Sequence, residues 1–242
     1  MKKLIACLFC LFPFIFFNDI QAQVQRSGWL ATFNTVKAGK KTSVHSDFQW
    51  RSADELQHTQ TLLLRAGLNV HVTKQLVLTG GYAFIHNYRS IGDADGYVNE
   101  HRIWEQAVYN HKIKTLLMSH RLRLEQRFLP KSIAENNELK NDGSLYANRV
   151  RYFIRNILPL KGRQQFDKGF FAAIQNEVFL NFGNKANVNG KTFDQNRLYL
   201  AIGYRLSKSF DLEAGYMNQY INGRGDAFTN NHIGQLAGYV RL

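Results

Sequence analysis

Beyond its first ten residues the chain contains no cysteine. Cys7 and Cys10 are the only two, and both lie in the N-terminal segment "MKKLIACLFCLFPFIFFNDIQAQ". Neither a disulfide framework nor a cysteine metal site can therefore hold the rest together, and strand pairing and packing must do so alone. Long apolar runs are also missing. After Leu4–Phe17 no stretch reaches the 18 residues of a spanning helix. This absence does not exclude a membrane, because a spanning barrel is apolar on only one face of each strand. Acidic residues are few: 18 Asp and Glu stand against 31 Lys and Arg, for a formal charge of +13. A balance of this kind suits nucleic acid, anionic lipid or an anionic solute as partner.

The N-terminus narrows that choice. Lys2 and Lys3 precede the apolar run Leu4–Phe17, and Ile20-Gln21-Ala22 resembles a cleavage site. This is the layout of a secretory signal, so residues 1–22 are read as a removed signal and residues 23–242 as one domain. Setting aside Lys2, Lys3 and Asp19 lowers the net charge by one. "LIAC" at Leu4–Cys7 resembles a lipoprotein cleavage box, but it precedes the apolar run instead of following it. An exported chain rarely meets nucleic acid. No nucleic-acid partner is expected, and lipid or a small anionic solute gains weight.

The chain beyond the signal is dominated by a period of two. In "HRLRLEQRF", Arg121, Arg123, Glu125 and Arg127 alternate with Leu122, Leu124, Gln126 and Phe128. In "TSVHSDFQWRS", Val44, Phe48 and Trp50 oppose His45, Asp47, Gln49 and Arg51. Leu62, Leu64, Leu68 and Val70 oppose Arg65 and Asn69, and Val150, Tyr152 and Ile154 oppose Arg149, Arg151 and Arg155. Gln175, Glu177 and Asn181 share a face, Leu198, Leu200 and Ile202 oppose Arg197 and Arg205, and Leu212 and Ala214 oppose Asp211 and Glu213. Such alternation reads as strands with one apolar face.

The segments run about ten to fifteen residues, near the length a tilted strand needs to cross a bilayer. From Gln75 onward, short links near Thr73–Lys74, His111–Lys114 and Ser207–Lys208 alternate with long polar ones. The long ones cover Arg89–Glu100, Leu129–Gly143, Gly183–Thr192 and Asn222–Asn230, and a middling one runs from Pro159 to Lys168. Outer-membrane barrels sort their connections in this way. The aromatics Tyr82, Phe84, Trp104, Phe128, Tyr152, Tyr204, Phe210 and Tyr220 sit near segment ends, as interfacial girdles would. The reading is therefore all-β: an antiparallel transmembrane β-barrel of about 10–12 strands with a polar, Arg-rich lumen. Bacterial barrels carry even strand numbers, so ten or twelve is expected rather than the eleven segments counted.

An arginine facing lipid at the bilayer midplane costs about 2–4 kcal/mol. The charged rows must then point inward. The expected lumenal network comprises Asp47, Arg51, Arg65, Arg121, Arg123, Glu125, Arg127, Arg149, Arg151, Arg155, Glu177, Arg197, Arg205 and Glu213. Two readings follow: ion pairs that fill and stiffen the lumen, or a small anion-selective channel. Around "LRLEQRF", "RVRYFIR", "VHSDFQWR" and "DQNRLYLAIGYRL", the chain resembles an uncharacterised family of bacterial outer-membrane barrels, domain of unknown function 2490. The resemblance implies a membrane-spanning barrel in the bacterial outer membrane, in contact with membrane lipid and lipopolysaccharide. It implies no activity, and protein partners stay unknown.

Other chemistry is sparse. Ser43, His45 and Asp47 alternate on one strand face and have the residue types of a nucleophile, base and orienting acid. They would make an outer-membrane lipid hydrolase, but they share the face of Arg51 and read first as lumenal polar residues. Asp93, Asp95, Asn99 and Glu100 offer oxygen ligands in one loop without the full calcium-loop pattern. "RGD" at Arg224–Asp226 lies in a Gly-rich loop. The eight histidines show no metal spacing, and no cofactor is expected. A soluble periplasmic binding barrel is the alternative outside the membrane.

Overall fold

A computed structural model describes residues 22–53, 56–160 and 166–242. The expected signal lies outside the described residues except for Ala22, which already belongs to the first strand. Eleven strands follow one another around a closed barrel. They are β1 (Ala22–Lys37), β2 (Thr42–Ala53), β3 (His58–His71), β4 (Leu76–Ile91), β5 (Ala94–Ile113) and β6 (Leu116–Glu135). The others are β7 (Glu138–Pro159), β8 (Gly169–Phe182), β9 (Phe193–Ser207), β10 (Phe210–Asn222) and β11 (Phe228–Arg241).

The expectation of ten or twelve strands is corrected to eleven. In an up-and-down meander each strand reverses its predecessor. With an odd number, first and last run the same way, so closure has to be parallel. β1 and β11 pair in that sense from Ala22↔Phe228 to Thr35↔Arg241. Lys37 N–H donates to the Leu242 carbonyl at 2.7 Å, and Leu242 N–H donates to that of Thr35 at 2.8 Å. Trp29–Val36 forms the second half of the 16-residue β1. Odd closure puts the start of β1 at one mouth and Leu242 at the other.

The loops at the two mouths differ. The mouth holding Leu242 carries the connections after β1, β3, β5, β7 and β9, which include the two-residue turns Lys114–Thr115 and Lys208–Ser209. The opposite mouth carries all four expected long connections. Two of them are not loops. Arg89–Glu100 and Leu129–Gly143 continue β4–β5 and β6–β7 as paired hairpins, with pairs Ile91↔Ala94 and Glu135↔Glu138 next to their turns. Gly92 (φ +60°) opens the first turn, and Asn136 and Asn137 (φ +53° and +61°) form the second. Two positive φ values in a two-residue link match the twist of a hairpin, and asparagine tolerates them. β5 and β6 have 20 residues and β7 has 22, more than the about 9–11 a tilted crossing needs. Their excess rises past the barrel wall with polar residues on both faces, which is why sequence patterning read it as loop.

Alternation decides the faces. Leu122 and Leu124 are 51% and 41% exposed, while Arg123 and Glu125 between and beyond them are 1% and 2% exposed. Leu64, Leu68, Val70, Leu200, Ile202 and Leu212 likewise stand on the outer wall. Several of its polar groups are hydrogen-bonded to neighbouring strands. Gln126 donates to Glu105 (3.1 Å), Asn218 to Asn230 (2.7 Å) and Asn176 to Asn196 (3.2 Å), and His120 bonds to the Tyr152 hydroxyl (2.9 Å). Outer aromatics group near both mouths: Phe170 on Tyr204 at the Leu242 end, and Phe193, Tyr220 and Phe228 in sequence at the other.

Inside, large side chains fill spaces left by glycine. Trp104, grouped by sequence with the outer girdles, points inward and is 1% exposed. A Cβ on Gly67 or Gly81 would come within 2.8 or 2.6 Å of its ring, and one on Gly203 within 2.2 Å of Phe171. Trp29, Phe171, Tyr199, Met217 and Ile233 form one buried apolar cluster in the lumen, and Leu63, Ala83, Ile85 and Trp104 form another. Parallel closure makes a direct prediction. An epitope fused ahead of β1 and one fused after Leu242 should be reached by antibody from opposite faces of proteoliposomes. Access to both from one face would contradict the odd barrel.

Candidate functional site

Buried charge in the lumen needs partners, and the register supplies them. Glu125 on β6 and Arg149 on β7 are direct cross-strand neighbours. Arg149 donates to Glu125 Oε2 from Nε (3.0 Å) and Nη2 (2.7 Å), and from Nη1 to Asp194 on β9 (2.8 Å). Arg151 donates to the other oxygen of Glu125 at 2.6 Å and grips Glu177 on β8 with Nε (3.0 Å) and Nη2 (2.9 Å). Arg121 adds a 2.7 Å bond to Glu177. Glu100 is held by two forks, Arg102 at 2.7 and 2.9 Å and Arg127 at 2.7 and 3.2 Å. Five consecutive strands, β5 to β9, are thus braced through Glu100, Glu125 and Glu177, which each accept from two arginines, and through Asp194, which accepts from Arg149.

Three smaller groups complete the network. Asp47 accepts from Arg65 (3.1 Å), its cross-strand neighbour, and from Gln49 (3.1 Å). Arg155 pairs with Glu213, which also accepts from the Tyr239 hydroxyl at 3.1 Å. At the Leu242 mouth Arg205 grips Asp211 at 2.8 and 3.0 Å, and Arg241 lies 2.8 Å from the same carboxylate.

Two arginines meet head on. Arg123 and Arg151 occupy opposed positions on β6 and β7, an arrangement that repels. They diverge: Arg151 turns to its carboxylates, and Arg123 turns to Gln106, donating to Oε1 from Nε (3.0 Å) and Nη2 (2.6 Å) over the Trp104 ring. Among the described residues no carboxylate lies within ion-pair distance of Arg51, Arg123 or Arg197. Arg51 donates to Gln49 Oε1 at 2.7 Å and lies 4.0 Å from the Trp29 ring centre, with Arg197 5.1 Å from the same ring.

All fourteen residues expected in the network line the inner wall. Glu100, Arg102, Asp194, Asp211 and Arg241 belong to it as well and are absent from the sequence expectation. Glu100 had been placed in an acidic loop with Asp93, Asp95 and Asn99, but it is buried between two arginines, and Asn99 bonds His86 on the outer wall. Among the described residues no group of His, Asp or Glu is arranged to hold a metal ion. The alternation "EHRIWEQ" does carry Glu100, Arg102 and Trp104 on one face, but His101 and Glu105 blur the other. Ser43, His45 and Asp47 share the inner wall without forming a relay. Ser43 Oγ bonds His71 Nε2 (2.9 Å) and accepts from Asn69 (3.0 Å), while His45 Nε2 bonds Asp47 (3.2 Å). Arg224 of "RGD" ties two loops together through the carbonyls of Val188 and Ala186, both at 2.8 Å.

At the mouth opposite Leu242 the packing opens. A cavity of about 270 Å³ is lined by eight arginines and a single carboxylate, Glu100. Through Arg89, Arg127, Arg149, Gln195 and Ile221 it adjoins a second space of about 440 Å³ under the loops. Two of its arginines, Arg51 and Arg197, stand over the ring of Trp29, a member of the buried apolar cluster.

Comparison with known proteins adds little chemistry. A family model described as "Protein of unknown function (DUF2490)" matches residues 26–230. No curated protein matches. Among solved structures the chain is similar to a NanC porin in a rhombohedral crystal form, with 10% identity and a TM-score of 0.46, over 84% of this chain and 92% of that one.

The network predicts unequal costs. Glu125→Gln leaves Arg149 and Arg151 short of a buried counter-charge, and about 3–5 kcal/mol of stability should be lost. Lys131→Gln, at the half-exposed pair with Asp142, should cost about 0–1 kcal/mol. Urea unfolding in detergent measures both. Equal costs would contradict a stabilising role for the lumenal network.

Proposed function

We propose, for a chain that belongs to the DUF2490 family of proteins of unknown function, that it is an outer-membrane β-barrel whose lumen is closed. Its role lies at the loop-bearing mouth and not in steady conduction. The observation that carries this reading is the burial of the mid-lumen. Arg123, Glu125, Trp104, Tyr199 and Glu213 come from four different strands, and none is more than 2% exposed. Water-filled pores leave such side chains wet.

The outer-membrane placement rests on three things. The outer wall is apolar, closure leaves no strand edge unpaired for lipid to meet, and the N-terminal segment reads as a signal. Membrane lipid and lipopolysaccharide are then the surroundings of the wall. Ser43, His45 and Asp47 face the lumen, away from lipid, so the hydrolase reading loses its access to substrate.

One observation favours a second reading, a small anion-selective pore: inner-wall arginines outnumber the carboxylates that pair with them. Planar-bilayer recording of purified protein separates the two. The closed barrel should give no steady current. A steady anion-selective current, weakened by high salt as the field is screened, would replace this reading with the pore. A steady cation-selective current would defeat both.

A further inference from the structure

We propose that the arginine-lined cavity at the loop-bearing mouth is a binding site for a small soluble molecule carrying two or more anionic groups, phosphates or carboxylates. The inference rests on the closed-barrel reading for its blind floor, but its chemistry stands on the cavity itself. Eight arginines and one carboxylate surround about 270 Å³, and that carboxylate, Glu100, already accepts from Arg102 and Arg127.

The positive charge is concentrated on two residues. Arg51 donates from Nη2 to the neutral amide of Gln49 and lies over the Trp29 ring. Arg197 stacks against Trp29 and Phe179, 5.1 and 4.8 Å from the ring centres. With the Gln219 amide turned so that its oxygen faces Arg197, it accepts from Nη2 at 3.0 Å and Nε at 3.2 Å. Rings and amides orient a guanidinium without neutralising it. The Nε atoms of Arg51 and Arg65 are buried with no hydrogen-bond partner among the described residues, and Arg65 as a whole is 7% exposed. A buried charge left without a counter-charge is costly, and guanidinium forks fit the oxygen pairs of carboxylate and phosphate.

Size and access set the ligand class. The cavity would hold about nine waters at about 30 Å³ each, which admits a molecule such as citrate or pyrophosphate. It adjoins the larger space under the loops, where Arg89, Arg127 and Arg149 line both. Its walls are the inner faces of the barrel, so a phosphate anchored in the surrounding bilayer would have to leave its leaflet to enter.

The test uses the full barrel in detergent, with thermal unfolding and calorimetry against pyrophosphate, citrate, acetate and a short-chain phosphatidate. Pyrophosphate or citrate should bind saturably and raise the unfolding temperature, and acetate should bind at least tenfold more weakly. Arg51→Gln and Arg197→Gln should each weaken binding at least tenfold while leaving the ligand-free unfolding temperature unchanged or higher, because each removes an uncompensated charge. Arg205→Gln, at the far mouth, should leave binding unchanged. Absence of saturable binding by both polyanions would overturn the site. So would binding untouched by Arg51→Gln and Arg197→Gln, or binding of phosphatidate alone. A drop in ligand-free stability in both variants would also overturn it, in favour of purely structural arginines. Saturable binding in a protein that also conducts would support the site and remove the closed barrel, so the two readings fail separately.

Discussion

Everything in this structure follows from the need to keep guanidinium groups off the apolar outer wall and still find them partners. A period-two strand offers only two faces. Once one is apolar enough for a bilayer, its charged row is confined to a narrow lumen with the charged rows of every other strand. Those rows then have to neutralise one another. Glu125 sits where this demand is greatest. It joins Arg149 and Arg151, and through them Asp194 and Glu177. Such pairs contribute little net stability compared with a well-packed apolar interior, yet each is expensive to break. They hold neighbouring strands in one register, because a slip of one residue would send every arginine to the outside.

The aromatic residues solve the second half of the problem. Ion pairs alone leave gaps, and the gaps are closed by Trp104 on Gly67 and Gly81, Phe171 on Gly203, and Trp29 with Tyr199. The same rings carry arginine faces: Arg65 and Arg123 on Trp104, and Arg149, Arg151 and Arg197 around Phe179. A guanidinium between a carboxylate and a ring meets both its charge and its flat surface. Toward the loop-bearing mouth arginine excess remains and a cavity opens, with Phe179 in its lining.

Much of this was legible from the residues, and the limits were physical. Alternation is local, so "HRLRLEQRF" alone separates Arg123 from Leu124, and "NRVRYFIRN" does the same for Arg151 and Tyr152. The parity of the barrel is not local. It depends on which edge meets which at closure, and nothing in β1 or β11 declares a parallel seam. The hairpins around Gly92 and Asn136 read as loops by sequence because these strand ends carry polar residues on both faces and so have no apolar face to reveal them. Residue type alone points Trp104 outward, whereas its position between Arg102 and Gln106 on one face points it inward. Glu100 was read with its acidic neighbours in sequence, although its partners Arg102 and Arg127 come from its own strand and the next. Which carboxylate meets which arginine is a matter of register across strands, and sequence spacing does not contain it.

The central claim is that the arginine row of β6 faces the lumen and the leucine row faces lipid. Both native cysteines lie within the first ten residues, so single cysteines can be introduced into an otherwise clean barrel. The decisive measurement is labelling of Arg121→Cys through Phe128→Cys in proteoliposomes with a lipid-phase and a water-phase thiol reagent. Leu122→Cys, Leu124→Cys and Phe128→Cys should react from lipid, and Arg121→Cys, Arg123→Cys, Glu125→Cys and Arg127→Cys should not. Labelling of Arg123→Cys from lipid together with Leu124→Cys from water would contradict the register on which the whole account stands.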